Sequence, residues 1–259
     1  MVRFCANVTL LFAEVPFLER FGLARAAGFD AVEFQLPYDF EPEAIRAELD
    51  RHGLELVLFN TPSGDRPGDR GVANDPDRQA EWDAVFEKAR SYARVLRPQK
   101  VNLIAGKVLD HVSPEESRAH LKANLAAAAD VLAEDGIGAM VEPLNPFDAP
   151  GFAIATPSAG FELIREIGHP NLGVEYDVYH AQRTEGQITS TISANLANIS
   201  HIQIADAPGR HEPGTGELNW DFIFAEIDRS GYTGRIGVEY NPSTASTADS
   251  LAWMEAYRS

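Results

Sequence analysis

A chain of 259 residues, of which 44% are hydrophobic, is long enough to bury one large core. Its formal net charge of −17 at pH 7 argues against nucleic acid or an anionic membrane as a partner, since both require a basic surface. The one cysteine, Cys5, excludes an intrachain disulfide, and no apolar stretch approaches the roughly 18 residues of a membrane span. We therefore expect a cytoplasmic protein whose first apolar run, Val2–Val8, is a strand rather than a signal peptide.

Short apolar runs alternate with amphipathic segments along the chain, which predicts strands and helices in turn. The predicted strands are Val2–Val8, Ala31–Phe34, Glu55–Phe59, Lys100–Ile104, Gly138–Val141, Leu172–Tyr176, Ile202–Ile204 and Ile236–Val238. The predicted helices are Val15–Ala27, Pro42–His52, Asp77–Leu96, Pro114–Asp135, Pro157–Ile167, Ile188–Ala197, Asp221–Arg229 and Ala245–Tyr257.

Residues that favour helix ends support several of these bounds. Gly28 and Gly53 follow the first two helices, where glycine readily adopts the conformation that ends a helix. The fourth helix is preceded by Ser113 and begins with Pro114, and Glu116 then completes a capping box.

Eight strand–helix alternations without a break in composition predict one α/β domain over residues 1–259, folded as a (β/α)8 TIM barrel. An open doubly wound sheet is disfavoured, and no G-x-G-x-x-G motif follows a strand. Three connections are too long for plain turns: Thr61–Ala73, Pro143–Thr156 and Ala205–Trp220. All three follow strands, on the side where barrel enzymes carry their sites, so we expect them to cover a site.

Four oxygen-bearing side chains stand at the ends of the last four predicted strands, roughly one strand-plus-helix unit of about 30 residues apart. They are Glu142, Asp177, Gln203 and Glu239. Polar groups are costly at the ends of buried strands, so four at matching positions predict one shared site. The alternative is four unrelated strand ends that meet solvent.

Three carboxylates in one barrel mouth would repel one another unless a cation lies among them. The predicted ligands are all oxygen atoms, which favours Mg²⁺ or Mn²⁺ over Zn²⁺. Their combined charge exceeds that of one divalent ion, so one carboxylate can stay partly free for proton transfer.

Other candidate residues surround these four. Because strand side chains alternate faces, Glu175 and His201 should lie one layer deeper than Asp177 and Gln203. We expect Glu175 and His201 to interact with each other, or His201 to bond a backbone carbonyl. His180 is a candidate to bind a substrate oxygen, with a surface or capping role as the alternative.

Three cations follow strands in loops on the same side: Arg70, Lys107 and Arg210. One or two of them would bind a substrate carboxylate, since the fork of an arginine suits that group. An ordinary solvated charge is the favoured interpretation for Lys107 and the disfavoured one for Arg210.

Nearly the whole chain resembles the hydroxypyruvate isomerase family of xylose isomerase-like barrels. The most specific stretches are YDVYHAQRTEG and IADAPGRHEPGTGE, and further ones are RFCANVTLLF, GFDAVEFQLPYD, GDRGVA, VEPLNPFDAPGF and GVEYNP. The resemblance implies that Glu142 and Glu239 are an acid/base pair, with a divalent ion held by them and by Asp177 and Gln203. It also implies a homodimer. One departure is Pro146, where the family often has His or Arg, because proline lacks both an amide donor and a polar side chain.

The implied reaction interconverts hydroxypyruvate and tartronate semialdehyde through an enediolate, with one glutamate taking a proton from C3 and one delivering a proton to C2. Three alternatives stay open. The first is isomerisation of a longer 2-oxo acid such as 2-oxo-tetronate, and the second is epimerisation of a ketose at C3, which needs no carboxylate-binding arginine. The third is sugar-acid binding without turnover. A nuclease of the same superfamily is disfavoured, since its usual cluster is rich in histidine.

Overall fold

Nine short strands form one parallel sheet in the computed structural model, which describes residues 2–257. They are β1 (Arg3–Asn7), β2 (Ala31–Glu33), β3 (Glu55–Leu56), β4 (Leu58–Asn60), β5 (Lys100–Asn102), β6 (Gly138–Val141), β7 (Leu172–Asp177), β8 (Ile199–Ile204) and β9 (Arg235–Val238). The strand order is β3-β2-β1-β9-β8-β7-β6-β5-β4, so consecutive strands pair except β3 and β4, and the first strand pairs with the last.

Nine α-helices lie between or after these strands in the same range. They are α1 (Phe17–Ala26), α2 (Pro42–His52), α3 (Gln79–Leu96), α4 (Pro114–Glu134), α5 (Pro157–Ile167), α6 (Val178–Gln182), α7 (Ile188–Asn195), α8 (Trp220–Ser230) and α9 (Thr247–Ser250). Three 3₁₀ turns cover Pro76–Arg78, Leu196–Asn198 and Ala252–Ala256.

The third predicted strand closes the barrel because it pairs on both sides. It is interrupted at Val57, so that β3 pairs with β2 and β4 pairs with β5. The Val57 amide donates to the Val32 carbonyl at 2.8 Å, and the Val57 carbonyl accepts from the Lys100 amide at 2.9 Å. The two ends of the strand order are therefore adjacent pieces of one segment, and the predicted (β/α)8 barrel is confirmed.

The helices pack on the barrel through apolar stripes of helical period. In α8 the buried residues are Trp220, Ile223, Phe224 and Ile227, which share one helix face. The Phe224 ring meets the Phe4 ring of β1 edge-to-face, with 5.5 Å between the centroids. Such contacts cover the outside of the strands with apolar side chains. The polar side chains at the site are therefore those that point into the barrel or lie at its ends.

Two helical segments differ from the prediction, since α6 was not predicted and the last helix is shorter than expected. The segment after β7 turns directly into α6, because the Asp177 carboxylate caps it by accepting from the Tyr179 amide at 2.8 Å. The last predicted helix, Ala245–Tyr257, is reduced to α9 and a 3₁₀ turn, and its Ser- and Thr-rich start has a low helix propensity. By contrast, the Ser113 cap is present, since its hydroxyl accepts from the Glu116 amide at 3.1 Å.

No helix between residues 2 and 257 is both long and apolar enough to cross a membrane. The predicted domain, 1–259, extends at both ends beyond the described residues.

Candidate active site

A cavity of about 380 Å³ opens at the carboxyl ends of the barrel strands. Its walls include Glu142, His180, Arg210 and Glu239 near the strand ends. The connection Thr61–Ala73 contributes further lining, including Arg70. This connection contains no helix or strand, and its Gly71 forms an isolated bridge with Ala105 after β5. The cavity is large enough for a small organic ligand to be mostly enclosed.

Glu142 and Asp177 converge with His180 at one side of the cavity. Their nearest ligand atoms all lie within 4.8 Å of one another. Glu142 directly follows β6 and Asp177 ends β7, so the parallel register brings both to the same end of the barrel. The Asn102 amide at the end of β5 donates to the Glu142 carboxylate at 3.3 Å.

Glu239, which directly follows β9, is held by three donors. Its Oε1 accepts from Gln35 Nε2 at 2.8 Å and from Asn7 Nδ2 at 3.0 Å. Its Oε2 accepts from Arg210 Nη2 at 2.7 Å. The same Arg210 atom lies 3.6 Å from Asp177 Oδ2, so one guanidinium bridges two of the predicted ion ligands.

Gln203, on β8 beside Asp177, leaves its amide oxygen without a partner. Its Nε2 donates to Glu33 Oε1 at 2.7 Å, whereas Oε1 is buried and accepts no hydrogen bond from any described residue. Asp177 Oδ2 is likewise buried and accepts no hydrogen bond from residues 2–257. Two unpartnered buried oxygens on adjacent strands, beside Glu142, fit a hard divalent cation.

The pKa values of the carboxylates reflect crowding of negative charge. The pKa of Glu142 is raised well above its usual range by burial and then by the nearby charges of Glu239 and Asp177. Burial raises the pKa of Asp177 to about 7, although Arg210 opposes that shift. A bound cation would relieve both effects by favouring the ionised carboxylates.

His180 is a neutral imidazole whose protonated nitrogen faces the acids. Its Nδ1 accepts from the Asn145 backbone amide at 3.2 Å, so the ring proton belongs on Nε2. Nε2 lies 3.5 Å from Asp177 Oδ2 and 3.8 Å from Glu142 Oε1. Burial and then Arg210 lower the pKa of His180 to about 3, which leaves the ring as a hydrogen-bond donor rather than a cation.

The expected pairing of His201 with Glu175 is wrong. These residues are neighbours in the β7–β8 register, but His201 Nε2 contacts Glu33 Oε2 at 2.7 Å instead. A backbone carbonyl is not the partner of Nε2 either. Glu33 ends β2 and reaches His201 across the barrel interior, while Glu175 Oε2 is buried and has no hydrogen-bond partner in the described part of the chain.

The three candidate cations differ in position. Arg210 lies among the acids, as described above. Arg70 lines the cavity, and its Nη2 donates to the Asp148 carbonyl at 3.3 Å; no carboxylate between residues 2 and 257 is paired with its guanidinium. Lys107 does not line the cavity. Its Nζ donates to the Gly68 carbonyl at 2.7 Å and so fixes the position of the Thr61–Ala73 connection.

Pro146 is exposed and is not part of the cavity wall. Its neighbour Asn145 carries the polar contacts of this loop. The Asn145 side-chain oxygen accepts from the amides of Phe147 and Asp148 at 3.0 and 3.1 Å, while its backbone amide orients His180.

Several site residues in the first half of the chain were missed by sequence reasoning, although they obey the same rule. Polar residues also end the first strands: Asn7 on β1, Glu33 on β2, Asn60 on β4 and Asn102 on β5. Asn7 and Asn102 each donate to one of the two predicted acid/base glutamates. The predicted strands run one or two residues past Asn7, Glu33 and Asn102, so only a search for polar residues within two positions of each predicted strand end would have identified them.

Comparisons with known proteins agree with this architecture. A family model described as "Xylose isomerase-like TIM barrel" matches residues 21–257. The chain is 43% identical to a hydroxypyruvate isomerase of Escherichia coli over 100% of both chains, and 40% identical to a 2-oxo-tetronate isomerase of Cupriavidus necator over 99% of both. A crystal structure described as AP endonuclease, family 2, from Brucella melitensis is 41% identical, covers 100% of both chains and superposes with a TM-score of 0.96.

Proposed function

This chain belongs to the xylose isomerase-like TIM barrel family, and we propose that it is an isomerase that interconverts hydroxypyruvate and tartronate semialdehyde. The observation that carries the proposal is the pair of glutamates, Glu142 and Glu239, that line one cavity with oxygen donors between them on β7 and β8. Full-length similarity to a hydroxypyruvate isomerase supports the same reaction class.

We assign Glu142, Asp177, Gln203 and Glu239 as ligands of Mg²⁺ or Mn²⁺. The unpartnered oxygens of Asp177 and Gln203 and the raised pKa of Glu142 support this assignment. When bound, such an ion supplies positive charge that stabilises the negative charge developing on the substrate oxygens.

Proton transfer is the task of the two glutamates. One takes the proton from C3 of hydroxypyruvate and the other delivers a proton to C2, while the C3 hydroxyl loses its proton and the C2 oxygen gains one, so the isomerisation has no net redox change. Glu142 and Glu239 come from strands separated by β7 and β8, so they approach a flat intermediate from different sides. His180 Nε2–H donates a hydrogen bond to a substrate oxygen from beside Asp177.

The substrate carboxylate is bound by Arg70 in our proposal. Arg210 is already engaged by Glu239 and Asp177, whereas the Arg70 guanidinium lines the cavity without a carboxylate partner. In a chain of net charge −17, an unpaired cation in an acidic cavity suits an anionic group of the ligand. The Thr61–Ala73 connection that carries Arg70 would exclude water from the enediolate.

The test is a panel of hydroxypyruvate, longer 2-oxo acids, ketoses and abasic-site DNA, followed by NMR in D₂O with Mn²⁺ or Mg²⁺ and then with a chelator. We expect deuterium incorporation at one carbon of hydroxypyruvate that stops when the ion is removed. Turnover of ketoses alone would contradict the proposal in favour of an epimerase, and affinity for sugar acids without turnover would indicate a binding protein. Cleavage of the DNA alone would indicate a nuclease.

A second candidate reaction is isomerisation of 2-oxo-tetronate on the same site. It is favoured by the 40% identity to a 2-oxo-tetronate isomerase over 99% of both chains. A cavity of about 380 Å³ also leaves room for a carbon chain longer than that of hydroxypyruvate. The ratio of kcat/KM for the two acids decides between them. Assembly as a homodimer and folding of residues 1–259 as one domain stay predictions.

A further inference from the structure

Glu33, the last residue of β2, is completely buried below the candidate active site and accepts four hydrogen bonds. Its Oε1 accepts from Asn7 Nδ2 at 3.1 Å and from Gln203 Nε2 at 2.7 Å. Its Oε2 accepts from His201 Nε2 at 2.7 Å and from Cys5 Sγ at 3.3 Å. The donors lie on β1 and β8, so this one carboxylate connects both strands inside the barrel.

Gly237 provides the space for this arrangement. It lies on β9, between β1 and β8, in register with Cys5 and Gln203. A Cβ atom built on Gly237 would lie 2.5 Å from both carboxylate oxygens of Glu33, a distance that real Cβ contacts do not reach. A side chain at position 237 would therefore displace the Glu33 carboxylate, so glycine leaves the space in which Glu33 reaches its partners.

The contact with Glu33 determines which end of the Gln203 amide faces the site. A carboxylate only accepts hydrogen bonds, so the NH₂ group of Gln203 must face Glu33. The Gln203 oxygen then points the other way and is buried without a partner, like Asp177 Oδ2 on the adjacent strand. Without this contact, the Gln203 amide could turn its NH₂ group into the ion-free site, and ion binding would first have to reverse it.

We propose that Glu33 is a positioning residue for the ion site, because it holds Gln203 with the amide oxygen directed at the cation. This inference rests on the proposed function in one respect, namely that an ion binds among the four oxygen donors. It does not depend on which substrate is turned over. Hydrogen-bond partners of metal ligands typically change metal affinity by about 10- to 100-fold when they are removed.

The test compares two replacements by Mn²⁺ binding to the folded, substrate-free protein, followed by calorimetry or by electron paramagnetic resonance of free Mn²⁺. Glu33→Leu removes both acceptors, so we expect the dissociation constant to rise by about 10- to 100-fold. In Glu33→Gln, the new amide oxygen can still accept from Gln203 Nε2. Its NH₂ group can donate to His201 Nε2, provided that the His201 ring proton moves to Nδ1. We therefore expect Glu33→Gln to restore binding to within about threefold of the wild type.

A double-mutant cycle separates this role from general damage to the barrel. In a Gln203→Ala background there is no amide to orient, so Glu33→Leu should change the dissociation constant by about threefold or less. Cys5→Ala is the matched control, because Cys5 contacts Glu33 but not Gln203, and we expect wild-type affinity. An equal loss from Glu33→Leu in both backgrounds would overturn the proposal.

Gly237→Ala provides an independent variant if the leucine variant does not fold. Its added methyl group would displace the Glu33 carboxylate while leaving every polar group of the site in the chain, and we expect weaker Mn²⁺ binding. Unchanged affinity in a folded Gly237→Ala or Glu33→Leu protein would refute the role of Glu33 alone. Wild-type protein that binds no ion would refute the ion site and this role together, whereas ion binding without isomerisation would refute only the proposed reaction.

Discussion

The Arg210 guanidinium donates a 2.7 Å hydrogen bond to the Glu239 carboxylate. Arg210 is held for this contact by its own backbone, which has a φ of 56° and whose carbonyl accepts from the Asn241 amide at 2.9 Å. Its guanidinium also lies over the Tyr179 ring at 5.2 Å. One cation is thus built into an acidic site, where it offsets part of the repulsion among the carboxylates and keeps Glu239 oriented.

The acid/base assignment predicts that Glu142→Gln and Glu239→Gln each abolish most turnover. An amide retains the shape and a ligand oxygen but cannot take up a proton, so kcat should fall by about 100-fold or more. The exchange of substrate protons with D₂O, followed by NMR, measures this directly. Glu43→Gln, an exposed change on α2, is the control and should have wild-type kcat. Near-normal kcat in either site variant would remove that glutamate from the mechanism.

The proposed carboxylate contact predicts a change in specificity on Arg70→Gln. Losing a charged hydrogen bond to the substrate should lower kcat/KM for 2-oxo acids by about 10- to 100-fold. Turnover of an uncharged ketose, if there is any, should be unaffected because it has no carboxylate to lose. Arg66→Gln is the matched control, since Arg66 is an exposed arginine of the same connection and does not line the cavity. Equal losses for charged and neutral compounds would contradict the contact.

Crowding of the carboxylates predicts that the ion-free protein loses stability as pH rises. The pKa of Asp177 is about 7 in the folded chain against an ordinary value of 3.8, so the folded state binds more protons than the unfolded state between these values. Stability contributed by Asp177 is therefore present below about pH 4 and is lost as pH rises towards 7. Asp177→Asn should remove this contribution, since an amide carries no charge at any pH.

Thermal unfolding in a chelator, compared with unfolding in excess Mn²⁺, measures this dependence. The difference in Tm between wild type and Asp177→Asn should grow from pH 4 to pH 7 in chelator, with the variant the more stable protein at pH 7. Arg210→Met should extend the loss to higher pH, because Arg210 lowers the pKa of Asp177. A difference that stays constant with pH would show that Asp177 is not perturbed.

The helix cap at Ser113 predicts a change in stability without a change in catalysis. Ser113→Ala removes the acceptor of the Glu116 amide at the start of α4, which should lower the free energy of unfolding by about 1 kcal/mol. Urea unfolding measures this value, and Ser113→Thr should recover most of it. Since Ser113 does not line the cavity, kcat/KM should stay within error of the wild type. An unchanged unfolding midpoint in Ser113→Ala would contradict the contribution of the cap.

Local patterns were sufficient for most of the barrel. Alternating short apolar runs and amphipathic segments predicted all the strand–helix units, because burial on a barrel wall requires those periods in the sequence. The split at Val57 and the short helix α6 were not predicted. The split arises because Val57 bonds to a neighbouring strand on either side, whereas α6 depends on the cap that Asp177 forms.

The sequence by itself placed Glu142, Asp177, Gln203 and Glu239 near the ends of the last four strands, and therefore at one end of the barrel. Strand alternation also determined that His201 lies one layer below that end. Only the tertiary structure decided that the partner of His201 is Glu33, a residue 168 positions away, and that Glu33 also holds Gln203. The physical reason is that periodicity specifies the face and layer of a side chain, whereas contacts across the interior depend on closure of the barrel and on the space left by Gly237.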